Sequence, residues 1–419
     1  MLRSLLFRIL QSIGKNERKN IMKDPRDKIQ MKAFKAWKKN GRQGTIQAIT
    51  GIGKTFIALH AVAELTEGAS VLFLAETRQR EKDLKAEIKK YKEVFGIELS
   101  KNIEFMCYQS AYKRSGMHHD LVIADEIHDS LTPLYSKYYS NNSYDRIIGM
   151  SATIDNDTIS IDGNEMTRLD LLNTIAPICF SYTLDEGQKD ATSRPLDIYV
   201  LHHRLDNTKK IIPGGTKLKP FMTTEARSYD YWDKRFKRSM FYRNPAQKEV
   251  EFRKTTKQRS ELLYSLPSKV ESINQILAEL KGKTIIFGND LNSLELITPN
   301  VVRSAKKGES AKQRESENSL IRQKFDNGDI DVIASFKMLK QGANLKGIDN
   351  VILMSYYSKE RDLLQRVGRL RKDGNRIGTV IIPVTVGTQE EKWFTKMTEG
   401  VNIKMTPCLN VKDLVSKLK

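Results

Sequence analysis

Residues 45–56 read TIQAITGIGKTF. The apolar run Ile46 to Ile49 has the character of a strand. It feeds a short turn that ends in Gly53-Lys54-Thr55, after which Phe56-Ile57-Ala58-Leu59 begins a helical pattern. A strand, a tight turn and a helix in that order make a phosphate-binding loop. Backbone N–H groups along Thr50, Gly51, Ile52 and Gly53 wrap the phosphates, and the helix N-terminus adds partial positive charge. Lys54 reaches the β- and γ-phosphates, and Thr55 offers its hydroxyl to Mg²⁺. ATP and Mg²⁺ are therefore the expected cofactors. The G-x-x-x-x-G-K-[ST] pattern starts here on Ala48 rather than Gly, a residue still small enough for a close turn.

Working outward, Pro25 to Asn40 predicts a helix with Ile29, Ala33, Phe34 and Trp37 on one side. Gln30 lies on it, and its amide can both donate to and accept from an adenine edge. Downstream, Val71 to Ala75 and Ile103 to Cys107 predict strands. Polar residues follow each of them: Thr77 and Arg78 after the first, Gln109 and Ser110 after the second. In an α/β sheet, ligands bind beyond the carboxyl ends of strands. These four suit sugar–phosphate contacts, with ordinary strand-to-helix capping as the alternative.

Leu121 to Ala124 is a fully apolar strand that delivers Asp125-Glu126-Ile127-His128. Asp125 can hold a hydrated Mg²⁺ opposite Thr55, and Glu126 can polarise an attacking water. Adjacent buried acids repel unless a cation lies between them, so the pair itself suggests a metal. His128 is placed to couple neighbouring elements. The strand Tyr144 to Met150 ends in Ser151-Ala152-Thr153, where Ser151 and Thr153 can link the phosphate site to a second surface.

AITGIGKT, ADEIH and GMSAT, in that order and spacing, resemble superfamily 2 helicases and translocases of the DEAH/DExH type. The resemblance implies an α/β fold of two tandem RecA-like domains, each a mostly parallel sheet with helices on both faces. It also implies a second set of motifs further along. Thr284 to Phe287 and Val332 to Ser335 predict strands of that second domain, and residues 304–318 read as an exposed loop. The segment around Gly342 resembles the family's fifth motif, facing nucleotide and nucleic acid. Gln365-Arg366-Val367-Gly368-Arg369-Leu370-Arg371-Lys372 resembles the sixth, Q-x-x-G-R-x-x-R. Its implied role is charge neutralisation on the transferring phosphoryl group by Gln365, Arg366 and the finger Arg369. The second finger position is open between Arg371 and Lys372. Val380 to Val384 reads as the last strand.

The implied domains are an amphipathic tail over 1–24, a first RecA-like domain over 25–184 and a linker or insert over 185–265. A second RecA-like domain covers 266–400 and a tail 401–419. The insert carries a basic–aromatic stretch from Tyr229 to Arg243, which suits either base stacking or packing against a neighbour. The tail over 1–24 suits a docking helix, with a mitochondrial presequence as the second reading.

The chain has 419 residues and a formal charge of +20, with 71 basic against 51 acidic residues. Such an excess suits a polyanionic partner, with general solubility as the alternative. No apolar run approaches the length of a bilayer span, so no membrane partner is expected. The three cysteines have no metal-binding or disulfide spacing. The expected activity is a nucleic-acid-stimulated ATP hydrolase and helicase or translocase. DNA is favoured over RNA by the Q-R-V-G-R segment and the lack of a strict D-E-A-D box. An RNA helicase, or an ATP-switched clamp that does not unwind, stands as the alternative. Compactness suggests a virus-like or phage-like enzyme in a cytoplasm or nucleoid.

Overall fold

The structure is a computed structural model. It describes residues 25–99, 102–216, 218–336, 345–356, 363, 366–368, 370, 376–399, 401 and 403–419. The chain divides into two units at Ser193/Arg194.

The first unit is built on strands β1 (Gln43–Ala48), β2 (Ser70–Ala75), β3 (Asn102–Cys107), β4 (Leu121–Asp125), β5 (Ile147–Ser151) and β6 (Ile178–Tyr182). They form one sheet in the order β6-β1-β5-β4-β2-β3. Every neighbouring pair runs parallel. The central strands β2 and β4 carry buried apolar runs, Val71 to Ala75 and Leu121 to Ala124, as expected where helices cover both faces of a sheet. Helix α1 (Pro25–Lys39) buries the stripe predicted for it: Ile29, Ala33, Phe34 and Trp37. The Trp37 indole donates to the Ile147 carbonyl at 2.8 Å, which satisfies its N–H inside the core and fixes α1 on β5. Helix α2 (Lys54–Ala63) follows β1, and α3 (Gln79–Phe95) follows β2.

One glycine sets how closely the layers approach. A Cβ on Gly149, in mid-β5, would lie 2.5 Å from Thr45 Oγ1 and 2.8 Å from Ile127 Cδ1. The absent side chain lets the turn after β4 settle directly on the sheet.

The second unit is a seven-stranded sheet. Its strands are β7 (Leu196–His203), β8 (Lys283–Gly288), β9 (Val301–Arg303), β10 (Val332–Phe336), β11 (Ile348–Leu353), β12 (Gly378–Thr385) and β13 (Met405–Cys408). Their order is β9-β10-β8-β11-β12-β7-β13, again parallel at each pairing. The domain limits expected from sequence change accordingly. Residues 196–203 are sheet, not linker, because Ile198, Val200 and Leu201 pack in the core. Val380 to Val384 is not the last strand, and the span assigned to a C-terminal tail supplies β13 and the helix Val411–Leu418. The first unit likewise extends to Ser193 rather than 184.

Much of the expected loop over 304–318 is helix, Ala311–Asn327, started by the Ser310 side chain accepting from the Gln313 N–H. Between β7 and β8 lie a hairpin, Ile212–Thr216 with Lys219–Thr223, and three helices, Glu225–Ser239, Pro245–Tyr264 and Pro267–Glu279. The N-terminal tail over 1–24 lies outside the described residues.

Candidate nucleotide site and exposed strand-end residues

The sheet order brings three motif-bearing strand ends side by side. β5 lies between β1 and β4, with Gln47 level with Ser151 and Met150 level with Asp125. The turn after β1, the Ser151 end of β5 and the Asp125 end of β4 therefore share one layer at the carboxyl edge.

The turn itself needs glycine. Gly51 and Gly53 have φ of 88° and 86°, in the region L side chains avoid. Gly53 also faces Gln30, whose Nε2 would lie 2.5 Å from an added Cβ. Gln30 is buried, and its amide nitrogen donates to the Ile52 carbonyl at 2.8 Å. It braces the turn from α1. The side chain read from sequence as an adenine contact thus has one of its two N–H donors engaged by the loop. Lys54 folds back, its Nζ donating to the Ala48 carbonyl at 2.8 Å. Thr50 and Ile52 lie in the same turn, with Ile52 buried under it.

Asp125 is buried, and its carboxylate accepts from Arg80 Nε at 2.5 Å. The same guanidinium donates through Nη2 to Thr55 Oγ1 at 2.6 Å and through Nη1 to Glu87 at 2.9 Å. Burial alone would weaken the Arg80 charge. The Asp125 and Glu87 carboxylates outweigh it and hold the arginine pKa above its ordinary value. The cation that sequence reasoning placed beside the acids is here a side chain. Two oxygen donors converge on one cation, which makes Thr55 and Asp125 a fitting pair for a hard divalent ion.

Glu126 has φ 47° and ψ 54°, a left-handed conformation that a non-glycine residue holds at some cost. This kink ends β4 and turns Ile127 and His128 inward. His128 Nδ1 lies 2.7 Å from Ser151 Oγ and 3.4 Å from Glu126, while its Nε2 lies 3.3 Å from Asp129. Ser151 spends its own proton on the Thr153 carbonyl at 2.7 Å. A bond between Nδ1 and Ser151 therefore requires Nδ1 to carry the hydrogen. The expected coupling residues His128, Ser151 and Thr153 are thus joined. Among the described residues, the buried Thr153 hydroxyl has no hydrogen-bond partner.

The four residues expected to meet nucleic acid sit together. Ala75 of β2 is level with Cys107 of β3, so Thr77 and Arg78 emerge beside Gln109 and Ser110, all exposed.

In the second unit, Arg366 is buried and donates to the Ser355 carbonyl at 2.5 Å, with its Cζ 5.4 Å from the Phe287 ring centre. These contacts brace its own unit. Gly342, Gln365, Arg369, Arg371 and Lys372 lie outside the described residues. In the basic–aromatic stretch, most charges are spent internally: Lys234 on Asp230, Arg235 on Glu251 and Lys237 on Asp233. Tyr229 is buried, whereas Tyr231 and Phe241 are exposed.

Sequence reasoning passed over Arg80 because it belongs to no motif. The signal available was a basic residue one turn beyond a strand end, opposite two acids.

Two family descriptions match this chain. "Type III restriction enzyme, res subunit" covers residues 23–156, and "Helicase conserved C-terminal domain" covers 268–374. With two parallel sheets, one carrying a phosphate-type turn, these matches define a superfamily 2 helicase, an ATP-hydrolysing enzyme with two RecA-like domains. Among individual relatives, the DNA 3'-5' translocase XPB2 of Sulfurisphaera tokodaii is 28% identical over 398 residues, covering 89% of this chain and 86% of the relative. Among solved structures, S. cerevisiae Dbp5 bound to RNA and ADP BeF3 aligns with a TM-score of 0.57 at 12% identity, covering 93% of both chains. The Type ISP restriction-modification enzyme LlaBIII bound to DNA aligns with a TM-score of 0.56 at 14% identity. That alignment covers 95% of this chain, which spans only 33% of the LlaBIII chain. Both likenesses concern the fold.

Proposed function

We propose that this chain is an ATP-driven translocase on DNA, of the DEAH/DExH branch, which remodels or separates strands as it moves. The observation that carries this reading is the extended likeness to a DNA translocase, running through both units. The charge of +20 supports it, since phosphate neutralisation supplies much of the affinity for a polynucleotide.

In this reading the turn from Thr50 to Gly53 presents N–H groups to the phosphates, and Lys54 leaves the Ala48 carbonyl to meet them. Thr55 and Asp125 would hold Mg²⁺, which when bound supplies charge neutralisation on the β- and γ-phosphates. Glu126, at the kink after β4, orients the attacking water and accepts its proton. Gln30 keeps the turn in its binding shape. His128 and Ser151 tie the water-orienting residue to the end of β5, so a change at the phosphates is felt along that strand. Thr77, Arg78, Gln109 and Ser110 form one exposed row of donors suited to a sugar–phosphate backbone. In the second unit, Gln365 and Arg369 are assigned to stabilise phosphoryl charge, Gly342 to adjoin nucleotide, and Arg366 to brace the segment. The assigned compartment is wherever the DNA lies, cytoplasm or nucleoid.

The test compares ATP turnover with duplex DNA, single-stranded DNA and RNA, together with displacement of a third strand from a triplex. Duplex DNA should raise turnover and the triplex should be cleared. Stimulation by RNA alone would move the substrate to RNA. Turnover without any displacement would favour a clamp.

A further inference from the structure

Thr55 and Asp125 are bridged by the side chain of Arg80, from the first turn of α3. The bridge is specific in geometry. One guanidinium places Nε on the Asp125 carboxylate at 2.5 Å and Nη2 on the Thr55 hydroxyl at 2.6 Å. Its third nitrogen is held by Glu87 at 2.9 Å, and Glu87 lies on the same helix two turns on. The side chain is 18% exposed and passes over Phe73, with Cζ 5.6 Å from the ring centre. A charge so enclosed is ordered, not a solvated surface group.

We propose that Arg80 is a resident cation. It occupies the position between Thr55 and Asp125 that a divalent ion would take, and it must leave before such an ion can bind there. This rests on the phosphate-loop reading of residues 50–55. Two cations cannot share one carboxylate and one hydroxyl at this spacing without strong repulsion. The arginine keeps Asp125 from being a buried, uncompensated charge while the site holds no nucleotide. The exit is prepared as well: Glu87 is 36% exposed and travels with α3, so the guanidinium can swing off Asp125 and stay paired. The consequence is selectivity of state. A free divalent ion competes poorly with a bidentate, pre-organised arginine, whereas an ion arriving on a nucleotide brings phosphate contacts that pay the difference.

The experiment titrates the full chain, free of nucleotide, with Mn²⁺ and follows the free-ion signal by electron paramagnetic resonance. The wild type should bind weakly. Arg80→Gln should bind roughly tenfold more tightly, the effect of removing one partly buried competing charge. Combining it with Asp125→Asn should abolish the gain. Arg80→Lys keeps the charge but loses the forked hold on Thr55 and Asp125, so its affinity should fall between wild type and Arg80→Gln. Unchanged affinity in Arg80→Gln, a gain that survives Asp125→Asn, or Arg80→Lys behaving like Arg80→Gln would each overturn the proposal. Circular dichroism on each variant establishes that the chain is folded. A fluorescent ATP analogue, tested on wild type and Lys54→Ala in excess Mg²⁺, reports on the phosphate loop separately. Binding lost in Lys54→Ala supports that loop whatever the Mn²⁺ titration gives, and no binding by the wild type removes the loop reading itself.

Discussion

His128 Nδ1 and Ser151 Oγ lie 2.7 Å apart, joining the turn after β4 to the carboxyl end of β5. Both side chains are buried, and Ser151 passes the connection on to the Thr153 carbonyl. Severing it should separate turnover from movement. His128→Ala should retain ATP binding and much of the basal turnover while strand or triplex displacement falls by roughly tenfold or more, as expected for a link whose coupling is worth 1–3 kcal/mol. Parallel loss of ATP binding and displacement would instead mark His128 as a packing residue.

Lys54 and Glu126 should fail in different ways. Lys54→Ala removes a phosphate cation and should lower both nucleotide affinity and turnover. Glu126→Gln should leave affinity near wild type and lower turnover by roughly 10²–10⁴-fold, the range of a positioned proton acceptor. Equilibrium binding of an ATP analogue beside steady-state turnover separates the two. A loss of affinity in Glu126→Gln would point to the left-handed turn at that residue rather than to chemistry.

The second unit contains a fully buried ion pair. Lys269 Nζ lies 2.7 Å from Glu390 Oε1 and also donates to the Leu263 carbonyl, while Glu390 accepts from the Thr385 N–H. Removing one partner strands the other charge. Lys269→Ala should destabilise this unit by about 3–5 kcal/mol, measured by urea denaturation. Lys269→Met with Glu390→Gln should recover most of that loss, because neither side chain is then ionised.

Two buried histidines should contribute to the response to acid. Burial lowers the pKa of His60 to about 4, and burial together with the Lys269 charge lowers that of His203 to about 3. In each case the folded value lies below the ordinary 6.5, so the unfolded chain binds the extra proton first. The stability these residues contribute is whole above about pH 6.5 and is lost as pH falls toward the folded values, on the order of 3–5 kcal/mol each. Denaturation at pH 7.5 and pH 5, followed in the first unit through Trp37 in a chain carrying Trp232→Phe and Trp393→Phe, should give a clear drop with His60 in place. The slope should be shallower in His60→Gln, and an unchanged slope would assign the acid response of that unit to other groups.

Local chemistry made the first sheet readable. The turn at 50–55, the acids after β4 and the Ser151 end of β5 each interrupt an apolar run, and a parallel sheet exposes such interruptions at one edge. What lies between sites in space was harder to read. Arg80 belongs to a charged helix that looks solvated in sequence, and only the fold carries it to Asp125. Gln30 was legible as a residue of interest, but the carbonyl it binds is a tertiary fact. In the second unit, β7 and the four-residue β13 pair with strands far along the chain, so neither announces its sheet. The charged character of 304–318 masked a helix whose buried members within that span, Arg314 and Asn318, are themselves polar.

Arg194 Nε donates to the carbonyl of Arg376, 182 residues further on, at the point where β7 enters beside β12. A ribosome making this polypeptide would therefore release β7 long before its two neighbours exist. Early apolar residues such as Ile198 and Val200 must wait, sheltered or chaperoned, until almost all of the second unit has emerged. Any dissection that begins a fragment near residue 266 would remove a strand from inside the sheet and leave two raw edges ready to aggregate. The cut that respects the molecule falls between Ser193 and Arg194.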